Sequence, residues 1–216
     1  MPGVSLFDPD APDARELWEG MYSAGERWSG RPNAALVRAV EHLAPGTALD
    51  LGCGEGGDVV WLASRGWSAT GADVSPTALA RAARHAADAG VAQRVRLEEH
   101  DLGASLPAGP FDLVTASFLH SIAHLDRDDV LRRAAGLVAP GGTLLVVGHV
   151  SLPPWSDAAQ HHHVHLPAPR EVREALAPVT AGWEVLREEL VPREVTGPEG
   201  QRAGVDDGVL HLRRPA

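Results

Sequence analysis

No lysine occurs in this chain of 216 residues: all 19 basic side chains are arginine, against 29 acidic ones, for a net charge of −10. An acidic balance without a basic face argues against nucleic acid as the main partner. With alanine, glycine and proline so frequent, the arginine-only usage reads as coding composition rather than function. Cysteine occurs once, as Cys53, which excludes an internal disulfide framework and any multi-cysteine metal site. No run of 18 apolar residues is present, so no membrane span is expected. Met1 to Pro12 carries Pro2, Asp8 and Asp10, with neither a basic n-region nor an apolar h-region, and does not read as a secretory signal. The expectation is a soluble, cytoplasmic, single-domain protein over residues 1–216, monomeric or homodimeric, with a well-buried core.

What is present is organised around Ala48-Leu-Asp-Leu-Gly-Cys-Gly-Glu-Gly-Gly-Asp58. A short apolar run ends in Asp50 and breaks into glycines, and a helical pattern opens at Asp58. That is the strand, glycine loop and helix start of a nucleotide-binding α/β domain. Further strands are expected at Ser68–Ala72, Val95–Glu98, Phe111–Ala116 and Thr143–Val147, the last entered through a Pro140-Gly-Gly turn. Helices are expected at Asp58–Arg65, from Pro76 to Ala89 with Ser75 as N-cap, at Arg127–Val138 and at Arg170–Leu176. The alternation is that of parallel βαβ units. Glu184–Val195 and Gly208–Leu212, separated by Thr196-Gly-Pro-Glu-Gly200, predict a terminal antiparallel hairpin instead. Helical patterns at Ala14–Tyr22 and Asn33–Leu43 make residues 1–45 a cap segment ahead of the core. Pro153 to Pro169 is the one long irregular stretch, and 151–169 is expected to be a lid-like loop.

The string Gly52-Cys-Gly-Glu-Gly-Gly57 also satisfies G-x-G-x-x-G, a weak pattern alone. Charge separates the readings. A pyrophosphate wants bare amides and a helix N-terminus without carboxylates nearby. Here Asp50, Glu55 and Asp58 flank the loop, and Asp73 and Asp101 end neighbouring strands. Those acids suit a ligand with a sulfonium, an ammonium and a ribose diol, which is S-adenosylmethionine. Asp73 follows Asp50 by 23 residues, near the spacing at which an acid takes ribose hydroxyls.

Asp50-Leu-Gly-Cys-Gly-Glu-Gly56 resembles the first motif of the class I S-adenosylmethionine-dependent methyltransferases, and Thr70-Gly-Ala-Asp-Val-Ser75 the second. His100-Asp-Leu102 is similar to that family's adenine site, Phe111-Asp-Leu-Val114 to its fourth strand and Pro140-Gly-Gly-Thr-Leu-Leu145 to the entry of its fifth. The resemblance runs from Thr47 to the C-terminus. It implies a doubly wound, Rossmann-like, seven-stranded and mostly parallel sheet closed by the antiparallel hairpin. It implies S-adenosylmethionine held by Asp50, Gly52, Cys53, Gly54, Gly56, Asp73, Val74, Asp101, Leu102 and Ser117, with Asp73 on the ribose and Asp101 on the adenine amine. Trp18-Glu-Gly-Met-Tyr22 followed by Trp28-Ser-Gly-Arg-Pro-Asn33 is similar to the thiopurine- and tellurite-resistance-type branch, where an N-terminal segment packs over the cofactor and shapes the acceptor pocket. That carries Trp28 to the cofactor and Tyr22 and Trp28 to the acceptor pocket; anchoring of the leading helices to the core is the alternative.

Methyl transfer is an in-line displacement that positioning alone can accelerate by roughly 7–11 kcal/mol. A base is required only where the acceptor loses a proton, and histidine is the usual one. His120 and His149 are expected beside the methyl, at the ends of the fourth and fifth strands, with His124 one helical turn beyond His120. Phe118 and Trp155 join them as pocket residues. Each histidine has a plainer alternative, a hydrogen bond to a loop carbonyl or to the cofactor. His161, His163 and His165 lie on one side of an extended segment and form a candidate metal site, against the reading of a polar lid. Cys53 reads as a packing residue. The expected function is methylation of an oxygen or nitrogen, or a sulfur, of a small molecule. The alternatives are a non-catalytic S-adenosylmethionine-binding sensor or partner subunit and a metal-binding protein built on the histidine loop.

Overall fold

The computed structural model describes residues 13–121, 125–156 and 165–216. His124, His161 and His163 lie outside the described residues. The strands are β1 (Thr47–Leu51), β2 (Ser68–Asp73), β3 (Val95–Glu99), β4 (Phe111–Ser117), β5 (Val138–His149), β6 (Glu184–Thr196) and β7 (Arg202–Arg213). The helices are α1 (Ala14–Ser23), α2 (Ala34–Val40), α3 (Gly57–Ser64), α4 (Pro76–Asp88), α5 (Arg127–Gly136) and α6 (Pro169–Leu176). One seven-stranded sheet runs in the order β3-β2-β1-β4-β5-β7-β6. Its first five strands are parallel, and β7 inserts antiparallel between β5 and β6. This is the doubly wound sheet with a terminal hairpin that the sequence implies.

Burial explains why the central strands read as unbroken apolar runs. Leu49, Leu51, Val114, Ala116, Leu144 and Val146 pack on one face with α5 and α6. Ala48, Leu113, Leu145 and Val147 pack on the other with α2, α3 and Leu79 of α4. Covered on both sides, such strands need no polar alternation. The helix starts follow their caps: Asn33 accepts from Ala35 N at 2.8 Å, Ser75 from Ala78 N at 3.1 Å and Asp126 from Asp129 N at 2.9 Å.

Four boundaries differ from expectation, the first being β7, which opens at Arg202 rather than at Gly208. The helix begun at Arg127 stops at Gly136, because Val138 already pairs with Phe111 as the start of β5. Pro140-Gly-Gly is a bulge inside β5 rather than a turn before it, since pairing resumes at Thr143 with Leu113. Gly141 has φ +77°, and a Cβ on Gly142 would come within 2.8 Å of the Asp112 carbonyl oxygen, so the detour is built for glycine. The helix begun at Asn33 closes at Val40.

On β7, His211 is buried and its Nε2 has no hydrogen-bond partner among the described residues. Burial first, then the cations of Arg187 and Arg213 and the imidazole of His42, push it down to about 4. A histidine lowered in the folded state is neutral there while the unfolded chain protonates, so stability falls as pH drops from 6.5 towards 4. The stability advantage of the wild type over His211→Leu is therefore expected to shrink by about 3 kcal/mol between pH 7 and pH 4. Urea unfolding of both proteins at the two pH values measures it; a constant difference would show that His211 takes up no proton on unfolding.

Candidate active site

The glycine loop is held by the end of β2. Gly52 N and Cys53 N donate to the Ala72 carbonyl at 2.8 and 3.0 Å, and the Asp73 carboxylate accepts from Gly54 N at 2.8 Å and Ser75 N at 3.0 Å. Gly54 takes φ +52°, and a Cβ there would sit 2.8 Å from Tyr22 Oη and 3.3 Å from Trp28 Nε1. The loop is therefore roofed by the N-terminal segment. Gly56 lies behind it, as N-cap of α3 against Ala82.

Three carboxylates converge on the cleft. Asp50 is buried and accepts from Thr115 Oγ1 at 2.7 Å; burial, then the charges of Asp58 and Asp73, hold its carboxyl above the ordinary range. Burial raises Asp58 and Asp73 as well. Asp58 accepts from Asn33 N at 2.6 Å. Mutual repulsion in a dry site is relieved by a cation and worsened by an anion. Burial likewise pushes the Cys53 thiol up, which suits packing rather than reactivity.

Glu55 has a different task from the one its place in the loop suggests. Its carboxylate accepts from Trp28 N at 3.0 Å and Arg27 N at 3.3 Å and pairs with Arg81 at 2.7 Å, while nearly fully buried. It fastens the cap to the loop. Trp28 Nε1 then donates to Tyr22 Oη at 3.0 Å, with Tyr22 buried and the Trp28 ring exposed. Glu19 of α1 adds a second fastening at the start of α4, accepting from Ser75 Oγ at 2.6 Å and Thr77 N at 3.2 Å.

Under this roof, at the carboxyl ends of the parallel strands, lies a cleft of about 760 Å³. It brings together Tyr22, Trp28, Asp50, Gly52, Cys53, Gly54, Asp73, Val74, Asp101, Leu102, Ser117, Phe118, His120 and His149. Gly56 and Trp155 are not among its lining residues. Asp101 is exposed and accepts from Gly103 N at 2.9 Å, and Leu102 beside it is buried. His165 lies outside the cleft lining, exposed, in an ion pair with Glu171 at 3.1 Å. Among the described residues no three His, Cys, Asp or Glu side chains cluster as metal ligands.

The far wall holds residues that sequence reasoning missed. His149, last in β5, is the direct ladder partner of Asp207 on β7, and its Nδ1 lies 3.0 Å from Asp207 Oδ1. Arg193 of β6 donates from Nε to Asp207 Oδ2 at 2.6 Å. Burial opposes ionisation of Asp207, but the His149 and Arg193 hydrogen bonds outweigh it and hold the carboxyl below the ordinary range. Phe118, at φ +53°, stacks on His149 with ring centroids 4.3 Å apart. The His120 ring lies 5.6 Å from that of His149, and its Nε2 accepts from His149 N at 3.0 Å. Burial, then Arg127 and His149, lower His120 to about 4. The available signal was the acid pair Asp206-Asp207 directly ahead of the apolar run Val209-Leu210.

Residues 48–142 match the family model for a methyltransferase domain. The chain carries a class I S-adenosylmethionine-dependent methyltransferase domain. It is 32% identical over 154 residues to the ribosomal RNA small subunit methyltransferase C of Alcanivorax borkumensis, an alignment covering 67% of this chain and 46% of that protein. It is 30% identical over 151 residues to the 2-heptyl-1-hydroxyquinolin-4(1H)-one methyltransferase of Mycobacteroides abscessus, covering 67% of this chain and 65% of the relative. The first two curated relatives are spanned over less than half their length, 46% and 43%. Among solved structures, one from work on the conversion of a disulfide bond into a thioacetal group in echinomycin biosynthesis superposes with TM-score 0.70 at 25% identity, covering 93% of each chain. TehB from Haemophilus influenzae shares the fold, with TM-score 0.69 at 19% identity over 91% of this chain and 66% of that one. The cofactor of the methyltransferase domain is S-adenosylmethionine, and the residues present fit it: three buried carboxylates, whose ionisation burial opposes, match a sulfonium and an ammonium. No helix among the described residues is long and apolar enough to cross a membrane.

Proposed function

We propose that the chain transfers the methyl group of S-adenosylmethionine to an oxygen or nitrogen of a small molecule by in-line displacement. The observation that carries this reading is one cleft joining an acidic floor to a histidine-bearing wall at the carboxyl edge of the sheet. Its volume of about 760 Å³ falls within the range of small-molecule sites. Asp73 would hold the ribose, Asp101 the adenine amine and the glycine loop the methionine portion. When bound, the cofactor supplies a methyl already activated by a sulfonium. The chain's own residues position the acceptor: the cap shields the cleft from water, and Phe118, His149 and Arg193 present a flat, polar wall. The M. abscessus relative is named for a small hydroxyquinolone, which supports a compact acceptor. The A. borkumensis relative is named for ribosomal RNA, but a net charge of −10 with no lysine disfavours that partner here.

Thermal unfolding with S-adenosylhomocysteine, S-adenosylmethionine and NADH added separately tests the cofactor. A ligand at 100 times its Kd adds about 2.7 kcal/mol, and each kcal/mol raises Tm by roughly 2–4 °C for a domain of this size. Shifts of about 5–10 °C are expected with the first two and none with NADH. A shift with NADH alone would return the loop to the dinucleotide reading. Turnover of a panel of small phenols, amines and thiols then follows.

A further inference from the structure

We infer that His149, oriented by Asp207 and Arg193 of the terminal hairpin, is the general base of the methyl transfer, and that the acceptor is therefore a neutral hydroxyl such as a phenol or enol. The inference rests on the proposed function above. His149 Nδ1 lies 3.0 Å from Asp207 Oδ1, which only accepts, and 3.4 Å from Arg193 Nη2, which only donates; the shorter contact, to the carboxylate, places the proton on Nδ1 and leaves the lone pair of the neutral ring on Nε2. Arg193 occupies the other carboxylate oxygen, Oδ2, at 2.6 Å, which fixes the rotamer of Asp207 and keeps it anionic. Asp207 and Arg193 are positioning residues; His149 lines the cleft and meets the acceptor.

His120 is excluded from the same role. Its Nε2 already accepts from His149 N, so its remaining ring nitrogen is the N–H. It holds the end of β5 in place. The charged and titratable groups facing His149 are thus Asp207 from β7, Arg193 from β6 and His120 from the loop after β4, with Arg127 of α5 acting on His120.

The step balances. As the acceptor oxygen bonds to the methyl carbon, its proton passes to His149 Nε2. The electron pair of the broken S–CH3 bond stays on sulfur. The positive charge thereby moves from sulfonium to imidazolium, where the Asp207 carboxylate meets it, and the proton later leaves to solvent. A chalcogenide acceptor, already an anion at neutral pH, would have no use for this arrangement, and a thiol, with a pKa near 8.5, would depend on it less than a phenol. A hydroxyl, whose pKa lies near 10 in a phenol such as tyrosine, needs it.

Two measurements test the proposal. Long-range 1H–15N correlation spectra of 15N-histidine-labelled protein, with His149 assigned by comparison with His149→Gln, report the tautomer without any acceptor. A ring protonated on Nδ1 in the wild type, and a tautomer mixture in Asp207→Ala, are expected. An Nε2–H ring in the wild type overturns the dyad. The second measurement is turnover of a series running from pentafluorophenol, ionised at neutral pH, to phenol. His149→Gln should lose about 10²- to 10⁴-fold with phenol and little with pentafluorophenol, and Asp207→Ala should follow the same trend more weakly. An equal loss across the series would make His149 a positioning group only. Failure to methylate any phenol by protein that S-adenosylhomocysteine stabilises overturns the hydroxyl class; absence of that stabilisation instead overturns the cofactor reading, and the tautomer result still stands or falls separately.

Discussion

Asp73→Ala weakens S-adenosylhomocysteine binding by roughly 1–3 kcal/mol, the value of a hydrogen bond to a charged group. The effect has two sources, and the structure separates them. The carboxylate faces the cleft at the end of β2, where it would take the ribose hydroxyls. It also accepts from Gly54 N and Ser75 N, so its loss leaves two amides of the loop and the α4 cap without their acceptor. Asp73→Asn keeps an acceptor oxygen for one of those amides while removing the charge. Calorimetric titration and thermal unfolding of both variants should therefore show both weakened in binding, with Asp73→Asn, which leaves one amide without its acceptor, less destabilised than Asp73→Ala, which leaves two. Wild-type affinity in both would place the ribose elsewhere in the cleft.

Glu55→Ala should release the cap. The substitution removes a nearly fully buried carboxylate, leaves Arg81 without its ionic partner, and leaves the amides of Arg27 and Trp28 unpaired. Breaking a buried pair from one side costs about 3–5 kcal/mol. The loss falls on the segment between α1 and α2 rather than on the sheet, because the sheet's two apolar faces do not depend on Glu55. Limited tryptic digestion is the direct measurement: cleavage after Arg27 should accelerate at least tenfold in the variant, with the melting of the core little changed. Bound S-adenosylhomocysteine should slow it in the wild type. Equal cleavage rates in the two proteins would show that the aromatic contacts of Trp18, Tyr22 and Trp28 hold the cap without Glu55.

The two substitutions address residues whose prominence in the sequence is alike but whose tasks differ. Asp73 ends β2 and Glu55 stands among the glycines of the loop after β1, and on charge alone both belong to a cationic ligand's surroundings. Only the packing of residues 25–33 against the loop shows that Glu55 faces the chain itself.

The acidic half of the cleft, proposed above for the cofactor, was legible in the amino-acid order because its determinants are local. A parallel strand buried on both faces must be continuously apolar, its turn must be glycine where φ is positive, and the acid that ends it sits at the strand tip by necessity. Asp50, the glycines and Asp73 obey those rules within a few residues of each strand end. The histidine-bearing half obeys none of them. His149 meets Asp207 across 58 residues of sequence only because β7 runs antiparallel beside β5 in one particular register, and a slip of one residue would turn Asp207 to the opposite face. Arg193 reaches the same carboxylate through the pairing of β6 with β7. Likewise, which of two adjacent histidines keeps a free lone pair was decided by one backbone amide, that of His149, donating to His120. The order of residues determined the fold and the acidic floor; the register of the terminal hairpin decided which side chains meet in the wall, since strand pairing is a long-range choice that no local pattern encodes.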